Sequence, residues 1–435
     1  MTAATAQQGV PRTGGRGAIA IIGVLFFVFG FVTWLNGSLI PFLKVICDLT
    51  PAEALLVTFA FYIAYAVTAL PMSAILARTG YRLGMAIGLG IMAVGALIHI
   101  PAAYLANFPL FLVGLFTLGT GLTILQTASN PYIVLLGPIE SAATRISIMG
   151  FINKTAGVLV PLVFASLVLS DLGDPEALAQ SNITPELADA LAARLVVPYL
   201  AMAVVLLLLV GLVRLAPLPE IEAEPVAGTD RDRRSVLQFP HLMLGVITLF
   251  VYMGLEVLAG DTIGLFGQSL GMSRFAVLTS FTMGFMVLGY VVGIFCIPRF
   301  ISQSAALAAS AIAGLLATFG TLFSSQGSSA VSAVVWGWTG LAPVPDPIFF
   351  VALMGLANSL VWPTVWPLSL QGLGHFTPRA SALLIMAIAG GAIIPVIFGW
   401  IAGMTGDMQG AYVIALPCYA FILFYALKGH RMRQW

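Results

Sequence analysis

Apolar residues run along this chain in blocks of about 20 or more, the length a helix needs to cross the hydrocarbon of a bilayer, with polar residues gathered in the breaks. Twelve blocks are readable: Ala18 to Cys47, Glu53 to Ala77, Leu83 to Leu105, Phe108 to Leu136, Ile146 to Ser170, Leu195 to Leu215, His241 to Phe266, Phe275 to Pro298, Ala305 to Ser325, Pro347 to Leu370, Ser381 to Gly403 and Ala411 to Lys428. They predict an all-α integral membrane protein of twelve transmembrane helices, with little chain left for another domain. The first block is too long for a cleavable leader and lacks a small-residue cleavage site, so it is read as a span.

Two polar stretches are longer than the others. Pro217 to Pro240 mixes Glu220, Glu222 and Glu224 with Arg231, Asp232, Arg233 and Arg234, and it reads as a linker between the sixth and seventh spans. Asp171 to Arg194 reads as an outer loop carrying a short surface helix from Pro185. With the N-terminus placed in the cytoplasm, 14 of the 18 Lys and Arg residues fall inside. Only Arg194 and Arg274 fall outside, while Lys44 and Lys154 lie in or beside spans. The positive-inside rule therefore predicts that both termini are cytoplasmic.

Composition agrees and excludes other classes. Hydrophobic residues make up 60% of the chain and charged residues 8%, against roughly a quarter charged in soluble domains. A mean hydropathy of +1.04 cannot be hidden from water by folding, because even well-packed domains need a polar surface. The 18 basic and 17 acidic residues nearly balance, so no basic field for nucleic acid exists. Cys47, Cys296 and Cys418 are far apart in apolar runs and form neither a disulfide framework nor a metal site. No phosphate loop of the type G-x-x-x-x-G-K-[ST] is present, which argues against ATP-driven pumping. His99, His241, His375 and His430 have no ligand spacing for haem or zinc, so no cofactor is expected. The first three of these histidines are expected at the membrane interface. An enzyme is disfavoured because no nucleophile, base and orienting group assemble at recognisable spacing.

An internal repeat divides the chain. Ala156 to Phe164 reads A-G-V-L-V-P-L-V-F and Gly390 to Phe398 reads G-G-A-I-I-P-V-I-F, pairing Gly157 with Gly391 and Pro161 with Pro395 at an offset of 234. At an offset of 236, Gly119 meets Gly355 and Pro131 meets Pro367. Phe27 to Gly30 agrees more weakly with Phe250 to Gly254. Same-order agreement predicts two pseudo-symmetric six-helix bundles, residues 18–216 and 241–428, joined by the linker 217–240 and flanked by tails 1–17 and 429–435. Such a duplication places a substrate site between the bundles, near the bilayer midplane.

Polar side chains at membrane depth are costly and mark cavities, pathways or helix contacts. The candidates for substrate binding are Asn36, Gln126, Asn130, Asn153, Tyr252, Asn358, Trp362 and Trp366. Gln126 and Asn130 are one turn apart, as are Tyr252 and Glu256, while Asn358, Trp362 and Trp366 run down one helical stripe. Amides beside aromatic faces suit a sugar, whose hydroxyls take paired hydrogen bonds and whose C–H face stacks on a ring. Amides in membrane helices also bond neighbouring helices, an equally open reading for each. Glu256, Asp261 and Lys154 are the candidates for cation coupling. Glu256 is the preferred proton carrier, because its deeper position favours the neutral acid and lets a conformational change load and release it. Lys154 either pairs with that carboxylate or meets substrate directly.

Thr79 to Gly84, T-G-Y-R-L-G, after the second span, resembles a degraded loop motif of the major facilitator superfamily. Trp34 to Lys44, Leu122 to Tyr132, Tyr252 to Val257 and the G-G-x-x-x-P of the eleventh span are similar to the fucose permease and glucose/galactose permease branch. The N-G-S at Asn36 to Ser38 is most similar to its bacterial N-acetylglucosamine permeases. The resemblance covers essentially the whole chain. It implies monosaccharide uptake with a cation by rocking of two halves. Fucose permease carries acids in its first and fourth spans, where this chain has Asn36-Gly37 and Gln126. Coupling must then fall to Glu256 and Asp261, or differ in kind, with sodium as the alternative ion. The expected function is a sugar symporter, acting as a monomer on N-acetylglucosamine or a hexose, driven by protons. A membrane sugar sensor without transport is the reading from another class.

Overall fold

The computed structural model describes residues 15–135, 142–169, 185–216, 236–297, 299–373 and 376–434, and every regular element among them is helical. Among the described residues twelve helices are long and apolar enough to cross a membrane: α1 Gly17–Lys44, α2 Pro51–Ala69, α3 Arg78–Tyr104, α4 Phe108–Asn130, α5 Arg145–Leu167, α6 Ala190–Leu215, α7 Pro240–Ser269, α8 Phe275–Cys296, α9 Gln303–Phe323, α10 Asp346–Leu370, α11 Ala380–Thr405 and α12 Gly410–Arg431. The protein is a multi-pass membrane protein. An even number of spans puts both chain ends on one face of the bundle, here the terminal face; the other is the distal face.

The duplication is visible in what the repeated glycines touch. Gly157 of α5 lies against Trp34 of α1 and Met283 of α8, while Gly391 of α11 lies against Val257 of α7 and Tyr62 of α2. Advancing every helix by six converts the first set of contacts into the second. Gly119 of α4 packs on the backbone of Phe61 in α2, and Gly355 of α10 packs on the backbone of Thr282 in α8, by the same rule. Small residues at these points let helix backbones approach closely, which supplies packing where lipid offers no hydrophobic drive. The two six-helix bundles then meet along α1 with α7, α2 with α11, and α5 with α8.

The T-G-Y-R-L-G segment kinks the chain at the start of α3. Gly80 adopts φ 73°, a left-handed value that side chains resist, and it breaks an otherwise continuous helical run. Two residues on, the Arg82 guanidinium donates to the backbone oxygens of Val213, at 3.2 Å, and Arg214. Those carbonyls end α6 and have no intrahelical partner, so the arginine both caps them and complements the helix dipole.

Several expectations shift. A short helix does start at Pro185 and runs to Arg194. Another, Ala330–Trp336, lies between α9 and α10. Linker residues 217–235 and His375 lie outside the described residues. His99 faces other helices and not the bundle's outer surface. It is fully buried, its Nδ1 2.8 Å from the Gly95 oxygen and its ring stacked on Tyr199 with centroids 4.1 Å apart. His241 is also buried, with Nε2 3.1 Å from the Gln371 oxygen. The stripe expected from Asn358 through Trp366 is interrupted, because α10 is built from Asp346–Asn358 and Val361–Leu370 with a break at Ser359 and Leu360. Pro363 has no N–H to return to Ser359, which accounts for the break.

Candidate functional site

A cavity of about 120 Å³ lies between the bundles. Its wall comes from α1, α2, α4, α5, α7, α8, α10 and α11, so each half contributes four helices in matching order. Helical spacing aims the side chains. In α5, Gly150, Asn153 and Lys154 recur at steps of three and four, and in α7 Tyr252 and Glu256 are one turn apart, so each set shares a face.

The charged centre is a single ion pair across the two halves. Lys154 Nζ of α5 donates to Glu256 Oε1 of α7 at 2.6 Å, both side chains being almost fully buried. The second carboxylate oxygen accepts the Tyr252 hydroxyl. Lys154 also sits 4.2 Å above the Trp34 ring, a cation–π contact that supplies part of what water would have given the ammonium. Lys154 is thus paired with Glu256 while it also lines the cavity. Trp34 is wedged between Gly157 and Gly260, where added Cβ atoms would fall 2.7 and 2.6 Å from the indole.

Around the pair stand amides and aromatic rings. Gln126 Nε2 donates to the Tyr65 hydroxyl at 3.1 Å. Asn153 accepts from the Trp34 indole at 3.4 Å and donates to the Phe26 backbone oxygen at 3.2 Å, so it clips α5 to α1 as well as facing the cavity. The Asn130 side chain, half-buried in the wall, has no hydrogen-bond partner among the described residues. Trp362 completes the opposite wall, 6.4 Å from the Tyr252 ring.

Of the residues selected in the sequence, Gln126, Asn130, Asn153, Tyr252, Trp362, Lys154 and Glu256 line this cavity. Asn36, Asn358, Trp366 and Asp261 do not. Asn36 shares a face of α1 with Phe29, seven residues back, but lies about 10 Å further toward the distal face, beyond the cavity, buried with its Nδ2 unpartnered. Asn358 accepts the Tyr419 hydroxyl at 2.9 Å, behind the break in α10. Trp366 packs against Trp362 with centroids 5.2 Å apart and does not line the wall itself. Asp261, five residues beyond Glu256, accepts from Thr58 Oγ1 at 3.1 Å.

Sequence reasoning passed over Tyr62, Tyr65 and Tyr290, which line the cavity from α2 and α8. A tyrosine counts as apolar in a hydropathy reading, yet its hydroxyl at membrane depth needs a partner. Tyr62 and Tyr65, three apart on one face of α2, are the signal that was available.

The cavity is sealed toward the distal face. Ser38 Oγ donates to the Ala276 oxygen at 2.8 Å, Thr58 to Asp261, and Lys44 Nζ to Gln268 Oε1 at 3.5 Å, all joining one half to the other. Leu55 and the Ala52 backbone close on Gly399 between α2 and α11.

A dozen spans in duplicated halves around a shared polar cavity define a secondary transporter. The chain belongs to the Major Facilitator Superfamily, whose family model matches residues 22–394. It is therefore a transporter and not an enzyme. It is 33% identical over 419 residues to a glucose/galactose transporter of Brucella abortus biovar 1 (strain 9-941), covering 95% of this chain and 94% of the relative. An L-fucose-proton symporter of Escherichia coli (strain K12) is 26% identical over 422 residues, covering 94% and 92%. The crystal structure of the superfamily transporter FucP in the outward conformation superposes with a TM-score of 0.70 at 26% identity, over 94% of this chain and 97% of that one.

Proposed function

We propose that this protein imports a monosaccharide together with a proton, by alternating access of a central site between halves 18–216 and 241–428, with both termini in the bacterial cytoplasm. The observation that carries the reading is the Lys154–Glu256 pair in the wall of a cavity lined by amides and aromatic rings. The names of the relatives support a sugar and, for one, a proton. Within that class the substrate is a hexose such as glucose or galactose, or N-acetylglucosamine.

The chemistry follows from the donors present. Gln126 and Asn130 present amides that take and give hydrogen bonds to vicinal hydroxyls, while Trp362 and Tyr252 offer rings to the C–H face of the sugar. Glu256 holds the halves together while it is ionised, because Lys154 is on the other half. Protonation of Glu256 removes the negative partner and frees the ammonium, so proton loading loosens the contact between α5 and α7. Substrate hydroxyls then take the donors that Lys154 no longer gives to Glu256.

The deciding experiment is uptake of radiolabelled sugars into cells and proteoliposomes, across hexoses and N-acetylglucosamine, with and without sodium and an uncoupler. One sugar accumulated uphill, abolished by the uncoupler and indifferent to sodium, is expected. Accumulation that follows sodium would replace the ion, and binding without uptake or counterflow would make the protein a sensor.

A further inference from the structure

Asp261 is the second acid of α7, and the central pair leaves it aside. It is completely buried at the distal closure. One carboxylate oxygen accepts the Thr58 hydroxyl from the opposite half, and the other has no hydrogen-bond partner. Tyr62, one turn from Thr58 on α2, is buried too, with its hydroxyl also unpartnered, and it lines the central cavity.

The charges around this acid are accounted for helix by helix. On α5, Lys154 is taken by Glu256, whose own carboxylate, five residues back on α7, repels a second negative charge at Asp261. On α1, Lys44 reaches Gln268, seven residues or about 10 Å further toward the distal face. On α12, Tyr412 bonds Thr262, and on α8 Tyr290 lines the cavity wall. The stretch of α11 packed on α7, Gly390–Thr405, contains no titratable side chain. His241 and the arginines near it lie about 30 Å away at the other end of α7. No cation among the described residues faces Asp261. A carboxylate buried with a single hydroxyl for company is strongly unfavourable, whereas a neutral carboxylic acid in the same place is tolerated.

We propose that Asp261 is a coupling residue that acts as a proton latch on the distal gate: neutral, it lets α2 and α7 seal on the Thr58 hydroxyl, and ionised, it holds them apart and wet. The closed gate then holds one more proton than the open gate, so low pH favours closure and rising pH favours opening. In the import cycle proposed above, on which this inference rests, an outward-open protein takes a proton at Asp261 from the outer water before closing over its sugar. Glu256 remains the carrier at the central site.

The test follows the gate itself and needs no sugar. Spin labels are placed at Leu105→Cys and Met404→Cys, both exposed at distal helix ends of opposite halves, in an otherwise cysteine-free chain in liposomes. Their separation is measured from pH 5 to pH 9. The expected result is an open-to-closed ratio that rises by up to about tenfold per pH unit across the titration. In the double variant Asp261→Asn, Glu256→Gln, where the central pair adds no pH response of its own, the ratio should be flat and the gate closed throughout. Thr58→Val keeps the acid and should keep the response, with its midpoint moved to lower pH. Should Asp261→Asn fail to fold, Asp261→Ser serves the same comparison. A wild-type gate indifferent to pH, or a double variant Asp261→Asn, Glu256→Gln that still follows pH, overturns the proposal. Glu256→Gln separates the two readings: it should keep the gate response while losing accumulation, so a failure of the central-site assignment leaves this measurement standing.

Discussion

Glu256 has a lysine on one carboxylate oxygen and a tyrosine on the other, so a change at any of the three is felt by the rest. Glu256→Gln keeps the shape and removes the carboxylate. Uphill sugar accumulation should vanish while exchange across the membrane continues in part; accumulation at the wild-type level would refute the carrier assignment. Lys154→Met leaves a buried carboxylate unpaired and should destabilise the detergent-solubilised protein by about 3–5 kcal/mol in chemical unfolding. The double variant Lys154→Met, Glu256→Leu should recover most of that loss, since an apolar replacement of a buried pair is often neutral. Trp362→Ala and Asn130→Ala should raise the sugar concentration for half-maximal uptake by roughly tenfold, about the loss of one good contact. Unchanged uptake would return both residues to packing.

At the level of helices, spans and their order were readable because an apolar block of about twenty residues fits little besides a membrane span. The repeat was readable through glycine and proline, whose positions are set by backbone geometry. What escaped was direction. The sequence stripe Asn358, Trp362, Trp366 assumes an unbroken helix, and the interruption at Ser359 and Leu360 sends Asn358 to Tyr419 instead. Asn36 is polar enough to be selected and shares a face with Phe29, but it lies about 10 Å further along α1, past the end of the cavity. Tyr62 and Tyr65 were hidden by the opposite error, their rings masking the hydroxyls. The contacts of small residues make a sharper prediction. A Cβ on Gly390 would overlap the Phe250 backbone oxygen of α7, which cannot move aside. Gly390→Val should cost at least the 1–3 kcal/mol typical of overpacking, read as lower thermal stability in detergent. Gly403, with open space around it, should accept alanine without loss.

Across the whole molecule, every inter-half hydrogen bond of the distal seal lies beyond the central ion pair, while Gln126 and Asn130 line the cavity from the last turns of α4, toward the terminal face. The structure is therefore closed toward the distal face. Asn130→Cys should react with a membrane-impermeant maleimide in inverted vesicles and resist it in intact cells, if the resting protein holds this arrangement. Equal labelling from both sides would show that the seal is not the resting state.

The indole of Trp34 is gripped by glycines of α5 and α7 and capped by an ammonium, so it has one foot in each half. No swing of the halves leaves it in place. In a chain whose other six tryptophans are replaced by phenylalanine, its ultraviolet emission becomes a built-in optical gauge of the cycle, blue and dim while clamped, redder once water enters.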